Sequence, residues 1–306
     1  MIAKDRYDMK KLFLLSLTGL SCAVCTALPP PSRIVLTEQA TSEIQIRNET
    51  NVLWRCRPWE DPHLKLPGPG PFKLPAEVKP TDDGRAILFV ASQTFGEIDV
   101  ASARLKWYGR LDGCPHSIER LPDGRFAVAC SWGKKVVLVD VGKAPFEPAK
   151  QKMAAFPLPH AHGVVWDEKR NCLWADGETE LVAYDYRPDT FELVRRETIP
   201  FPAKDGKPII ACGHDLILRA DGTLVVTGGD AFVYHPDKKT FTPLTHGFEV
   251  KCYDENRAGD ALLTVAREKW WTDRLILRTP TGEKTVGPFE NYRIYKARWY
   301  KGTFFQ

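Results

Sequence analysis

Three histidines and three lysines carry most of the chemistry this sequence offers. His116, His162 and His214 each head a similar run of residues, and Lys79, Lys251 and Lys296 head weaker copies of it. Near neutrality a histidine exchanges protons while a lysine stays charged, so the six supply acid, base and a positive field. Each histidine has a partner two residues earlier, in Cys114-Pro115-His116, His160-Ala161-His162 and Cys212-Gly213-His214. On extended backbone that separation puts both side chains on one face. Imidazole and thiolate suit zinc or copper, and imidazole alone suits manganese or iron. His116, His160, His162 and His214 are therefore candidate ligands of a divalent metal. Three nearby lysines oppose a cation and favour an anion. With Arg267 or Arg298 as a fork, they can hold a carboxylate, sulfate or phosphate. The sequence contains no serine-nucleophile elbow, phosphate loop or HExxH helix that would point to other chemistry.

The elements that must position these residues are strands. Beyond residue 32 there is almost no helical periodicity, only short β-branched and aromatic runs separated by tight polar turns. The stretches beginning at His116, His162 and His214 each give a histidine, a strand, a turn and a second apolar strand, with a third strand following. The six leading residues recur roughly every 37–52 positions, the length of a four-stranded propeller blade. The run Tyr295 to Tyr300 has no blade after it, while residues 33–57 hold three strand-like runs with no inner strand before them. Joining the two ends makes one blade and a total of six. This predicts an all-β, six-bladed β-propeller closed by the C-terminal strand, with a seventh blade only if the proline- and glycine-rich segment 58–75 hides a strand pair. A β-sandwich also has short, regular strands, but not this repeat.

In a propeller, the loop entering each inner strand and the turn after the second strand lie on one face. The leading residues should meet there with Glu38, Gln93, Trp132, Asp176, Glu178, Asp230, Arg267 and Glu268. The Asp123-Gly124 and Asp221-Gly222 turns belong on the other face. Trp132, beside Gly133, is the sugar-stacking candidate, while Trp166 and Trp174 read as packing residues. Plainer readings stand beside these: a histidine in a strand is usually a structural group, and a lysine at a rim is usually solvated.

The N-terminus reads as an export signal. Lys10 and Lys11 precede an apolar run from Leu12 to Leu20 and small residues up to Ala27, too short to span a bilayer. Residues 1–27 are thus a signal peptide, or a lipoprotein signal ending before Cys22, and 28–306 a single propeller domain. Translation starting at Met9 would keep the same signal. Export makes the chain periplasmic, secreted or an outer-membrane lipoprotein, and allows disulfides among Cys56, Cys114, Cys130, Cys172, Cys212 and Cys252. The formal charge of +4 falls to about +2 without the first 27 residues, too little and too dispersed for nucleic-acid binding. A monomer is expected, touching membrane only through a lipid anchor.

The segments Lys79-Pro80, Pro115 to Gly124 and Ala129-Cys130-Ser131 resemble an uncharacterised family of exported bacterial six-bladed β-propellers. More distantly, the architecture is similar to propeller polysaccharide lyases, which use channel-mouth histidines and basic residues, some with a metal, though commonly on seven blades. The expected function is to bind an acidic glycan and cleave it by β-elimination. His116, His162 and His214 would be catalytic, and Lys79, Trp132, Lys251, Arg267, Lys296 and Arg298 would hold substrate. The alternatives are a non-catalytic glycan- or protein-binding propeller and a metal-dependent propeller hydrolase or lactonase.

Overall fold

Alternation of apolar and polar residues, broken by turns that glycine and aspartate favour, gives six four-stranded antiparallel sheets. The computed structural model describes residues 33–204, 207–208, 213–245, 249–267 and 269–302. The expected signal segment 1–27 with Cys22, and also Cys212 and Glu268, lie outside them.

Blade 1 is built from both chain ends. Its inner strand, Ile294–Tyr300, pairs with Arg33–Glu38, followed outward by Glu43–Arg47 and Val52–Cys56. Blade 2 runs outward from Glu77–Pro80 through Ala86–Val90 and Thr94–Asp99 to Arg104–Arg110. The inner strands of blades 3, 4, 5 and 6 are Pro115–Arg120, Val164–Asp167, Asp215–Leu218 and Val250–Glu255. Residues 58–75 hold two short 3-10 turns, Pro58–Glu60 and Gly70–Phe72, rather than a strand pair, so the ring has six blades. Phe72 anchors that connection in the apolar layer between blades 1 and 2.

The core is divided among the blade interfaces. Each of six buried apolar clusters fills the seam between two neighbouring blades, as Val128, Phe95 and Trp107 do between blades 2 and 3. Sheet faces therefore pack on sheet faces, and the axis is left to inner-strand residues. The Asp123 and Asp221 side chains accept from the amides of Arg125 and Thr223, which fixes those Asp-Gly hairpins on the face away from the histidines. The five described cysteines, Cys56, Cys114, Cys130, Cys172 and Cys252, are all free thiols.

Candidate active site at the histidine mouth

The leading residues do not form one ring; they occupy three levels along the axis. His116, His162, His214 and Lys251 meet at one mouth. Lys296 lies below them, fully buried, and Lys79 lies deeper still. The pleat explains Lys79: Glu77, not Lys79, pairs with the last residue of the second strand, Val90, as Asp215 pairs with Thr227. Lys79 is two residues further along, one full pleat repeat past the level of Asp215. Register breaks between Pro115 and Ser117, between Val250 and Cys252, and on the pairing of Leu36 and Glu38 with the last strand shift the other leading residues. A bulge of this kind re-aims a side chain.

At the mouth the imidazoles stack. The His116 and His162 rings lie 4.2 Å apart, His160 and His162 4.5 Å apart, and His214 meets His162 edge-on at 5.3 Å. Rings that face one another do not converge on a point, and among the described residues no three His, Cys, Asp or Glu side chains form a metal-binding group. Cys114 Sγ lies 3.3 Å from His116 Nε2. Lys251 Nζ donates to His214 Nε2 at 2.8 Å and to Glu249 at 3.0 Å.

Burial disfavours the charged form of His116, His162 and His214. His116 is pushed down to about 3 by burial and then by Lys296, and His214 to about 3 by burial and then by Lys251. His162 is driven in the same direction by burial and by the neighbouring histidines. The hydrogen bonds fix two tautomers. His162 Nδ1 lies 3.2 Å from the His160 carbonyl, which only accepts, so the Nδ1 is protonated and the lone pair sits on Nε2. The Lys251 ammonium only donates, so His214 holds its proton on Nδ1, a buried atom with no partner.

Asp176 sits beneath His162 and His214. One of its oxygens accepts from the Gly163 amide, while Oδ2 is buried without a partner. Burial pushes its carboxyl up to about 7. A Cβ on Gly213 would stand 1.9 Å from Oδ2, so any larger residue there must displace the Asp176 side chain.

Below the mouth the axis is closed by a clasp of four charges. Lys296 Nζ lies 3.0 Å from both Glu77 and Asp215, and Arg298 reaches Glu77 at 3.0 Å and both oxygens of Asp215 at 2.5 and 2.6 Å. Burial alone lowers the pKa of Lys296, but the two carboxylates outweigh it, and the cations in turn hold Glu77 and Asp215 low. Lys296 and Arg298 were expected to face substrate; instead they join blade 1 to blades 2 and 5. Lys79 is paired with Glu119 at 3.0 Å. Lys251 is thus the member of the expected lysine set that stays at the histidine mouth.

Arg267 is half-exposed near Asp273 at 3.5 Å. Trp132 is 79% exposed in the turn after the second strand of blade 3. Trp270, not singled out from the sequence, is 45% exposed in the equivalent connection of blade 6, across the ring. Its signal was its place three residues after Arg267. Asp215 and Glu77 were also missed, although one adjoins His214 and the other stands two residues before Lys79.

The fold is shared widely. A protein of unknown function from Bacteroides caccae is 14% identical, with a TM-score of 0.60 over 89% of this chain and 99% of its own. The β-propeller domain of Myceliophteria thermophila Cps50 (Swd1) is 13% identical, with a TM-score of 0.57 over 90% of this chain and 91% of that one. A catalytically inactive histidine variant of virginiamycin B lyase from Staphylococcus aureus, with quinupristin, is 12% identical, with a TM-score of 0.55 over 86% and 87%. At such identities the likeness is one of fold. No curated protein matches the sequence. Residues 25–306 match the model of a family of unknown function, DUF6528, and the chain belongs to that family.

Proposed function

We infer that the histidine mouth binds a carboxylate-bearing glycan outside the cytoplasm and starts its β-elimination. The observation that carries this is Lys251. Its ammonium is fixed against His214 at 2.8 Å, while its acidic partner Glu249 is a rim residue with 64% of its side chain exposed. A substrate carboxylate can take the place of Glu249 without dismantling anything buried. Exposed indoles on blades 3 and 6 flank the mouth and offer flat surfaces to sugar rings.

His162 is the base in this reading, because its lone pair is set on Nε2. A bound anion raises the affinity of a neighbouring imidazole for a proton, so the substrate itself makes His162 a better base. Nε2 takes the proton from C5 of the uronate. The electron pair forms the C4–C5 double bond, the C4–O bond breaks, and the leaving oxygen takes a proton from solvent. Lys251 stabilises the charge that grows on the carboxylate. A lyase with a similar fold, virginiamycin B lyase, is catalytically inactive as a histidine-to-alanine variant.

Binding without cleavage is the second reading. It is favoured by His116 and His214, which at about 3 are weak bases at neutral pH. Incubation with polygalacturonate, alginate, hyaluronan and heparin, followed by calorimetry and by absorbance of unsaturated uronate, separates the two. Elimination gives absorbance that His162→Ala abolishes while binding remains, and Lys251→Met and Trp132→Ala weaken both. Binding with no absorbance on any of the four ends the elimination reading; no binding to any ends both.

A further inference from the structure

A cavity opens on the axis at the end away from the histidines. It holds about 430 Å³, within the range of small-molecule sites, and every blade contributes to its wall. Blades 4 and 5 give it an apolar side, Val165, Trp166, Leu216, Ile217 and Leu218. The facing side is polar, with Asp254, Arg298, Lys79 and Glu119. The clasp of Lys296, Arg298, Glu77 and Asp215, all almost wholly buried, separates it from the mouth.

The cations of this cavity are already matched. Lys79 is held by Glu119, Arg298 by Glu77 and Asp215, Arg120 by Glu97 at 2.5 Å, and Lys301 by Asp82 at 3.3 Å. An anionic ligand would have to break one of these pairs or bring in a charge with no counter-ion. Hydrogen-bonding capacity is nevertheless left over. Arg298, only 3% exposed, keeps its Nε–H without an acceptor. Asp254 accepts the Trp299 amide at 2.7 Å through Oδ2, and the carboxyl keeps lone pairs beyond that bond. Burial pushes the Asp254 carboxyl up, and Glu119, held in its pair with Lys79, still accepts through its remaining lone pairs. An orphaned buried donor beside spare carboxyl oxygens, opposite an aliphatic and indole wall, defines a two-sided ligand.

The geometry points to a site for an uncharged, hydroxylated ring of sugar size, its apolar face on Trp166 and Leu216 to Leu218 and its hydroxyls toward Arg298, Asp254 and Glu119. It is independent of the acidic-glycan reading, since it shares no residue with the mouth. Saturation-transfer NMR on the full chain with methyl β-glucoside, methyl α-mannoside and N-acetylglucosamine tests it. At least one should show saturable transfer, weakened about tenfold or more, roughly one 1.4 kcal/mol step, by Trp166→Ala and by Asp254→Asn. The mouth variants Trp132→Ala and Lys251→Met should leave it unchanged. If Asp254→Asn fails to fold, Trp166→Ala, at a half-buried wall position, still decides. No transfer to any of the three sugars, or transfer that survives Trp166→Ala, overturns the site. Glucuronate binding as tightly as the glucoside overturns its neutrality.

Discussion

The stacked imidazoles should make the protein sensitive to mild acid. His116 and His214 titrate near 3 in the folded chain and near 6.5 when unfolded. A base with a depressed folded pKa contributes stability above 6.5. That contribution is lost as pH falls, because only the unfolded chain takes up the proton. Between pH 7 and 5 each such imidazole costs about 2 kcal/mol, so the two together cost about 4 kcal/mol. His162 shifts the same way and adds to the loss. Asp176 opposes them. Its carboxyl, at about 7 when folded and 3.8 when free, gains a proton first in the folded state and returns about 2 kcal/mol over the same range. The balance is a loss of about 2–4 kcal/mol, or about 5–10 °C in Tm for a domain of this size. Urea unfolding at pH 7, 6 and 5, followed by both tryptophan fluorescence and circular dichroism, measures it if the two probes coincide. His214→Asn removes one titrating group and should make the pH dependence shallower by about 1.4 kcal/mol per pH unit below 6. A midpoint that does not move between pH 7 and 5, or a slope untouched by His214→Asn, would refute the reasoning.

Three further outcomes follow from the buried geometry. Lys296→Met should cost about 3–5 kcal/mol in urea unfolding, because Glu77 and Asp215 are left with one cation between them; adding Glu77→Gln should recover part of that loss. Gly213→Ala should cost about 1–3 kcal/mol, since the new methyl displaces Asp176, and should weaken the upward swing of stability that Asp176 supplies in acid. Among the five described cysteines, Cys114 is half-buried while the others are buried. Mass mapping after brief treatment of the native protein with a thiol reagent should find Cys114 modified well before Cys56, Cys130, Cys172 or Cys252.

The blade count was legible because the histidine, strand, turn, strand unit recurs, and because the chain has an inner strand left over at one end and three outer strands at the other. Blade 1 appears with those strands. The site was legible only in part. Spacing brought His116, His162, His214 and Lys251 to one mouth, but it could not tell which level of the axis a residue occupies. A one-residue bulge before Ser117 or Cys252, or a two-residue error at Lys79, moves a side chain from the mouth to the interior. Spacing also hid the counter-charges. Glu77 and Asp215 neutralise residues more than 200 and 80 positions away in the chain, respectively, and such pairs exist only once the ring has closed.

That closure gives the protein an order of assembly. Strand Ile294–Tyr300 follows every other described strand in the chain, yet it carries both cations of the clasp. Until it arrives, blade 1 has an open edge at Arg33–Glu38, and Glu77 and Asp215 face the axis without the two cations of the clasp. A chain stopped short of residue 296 would therefore fail by charge as well as by packing. Ring closure and charge neutralisation at the axis therefore depend on the same seven residues.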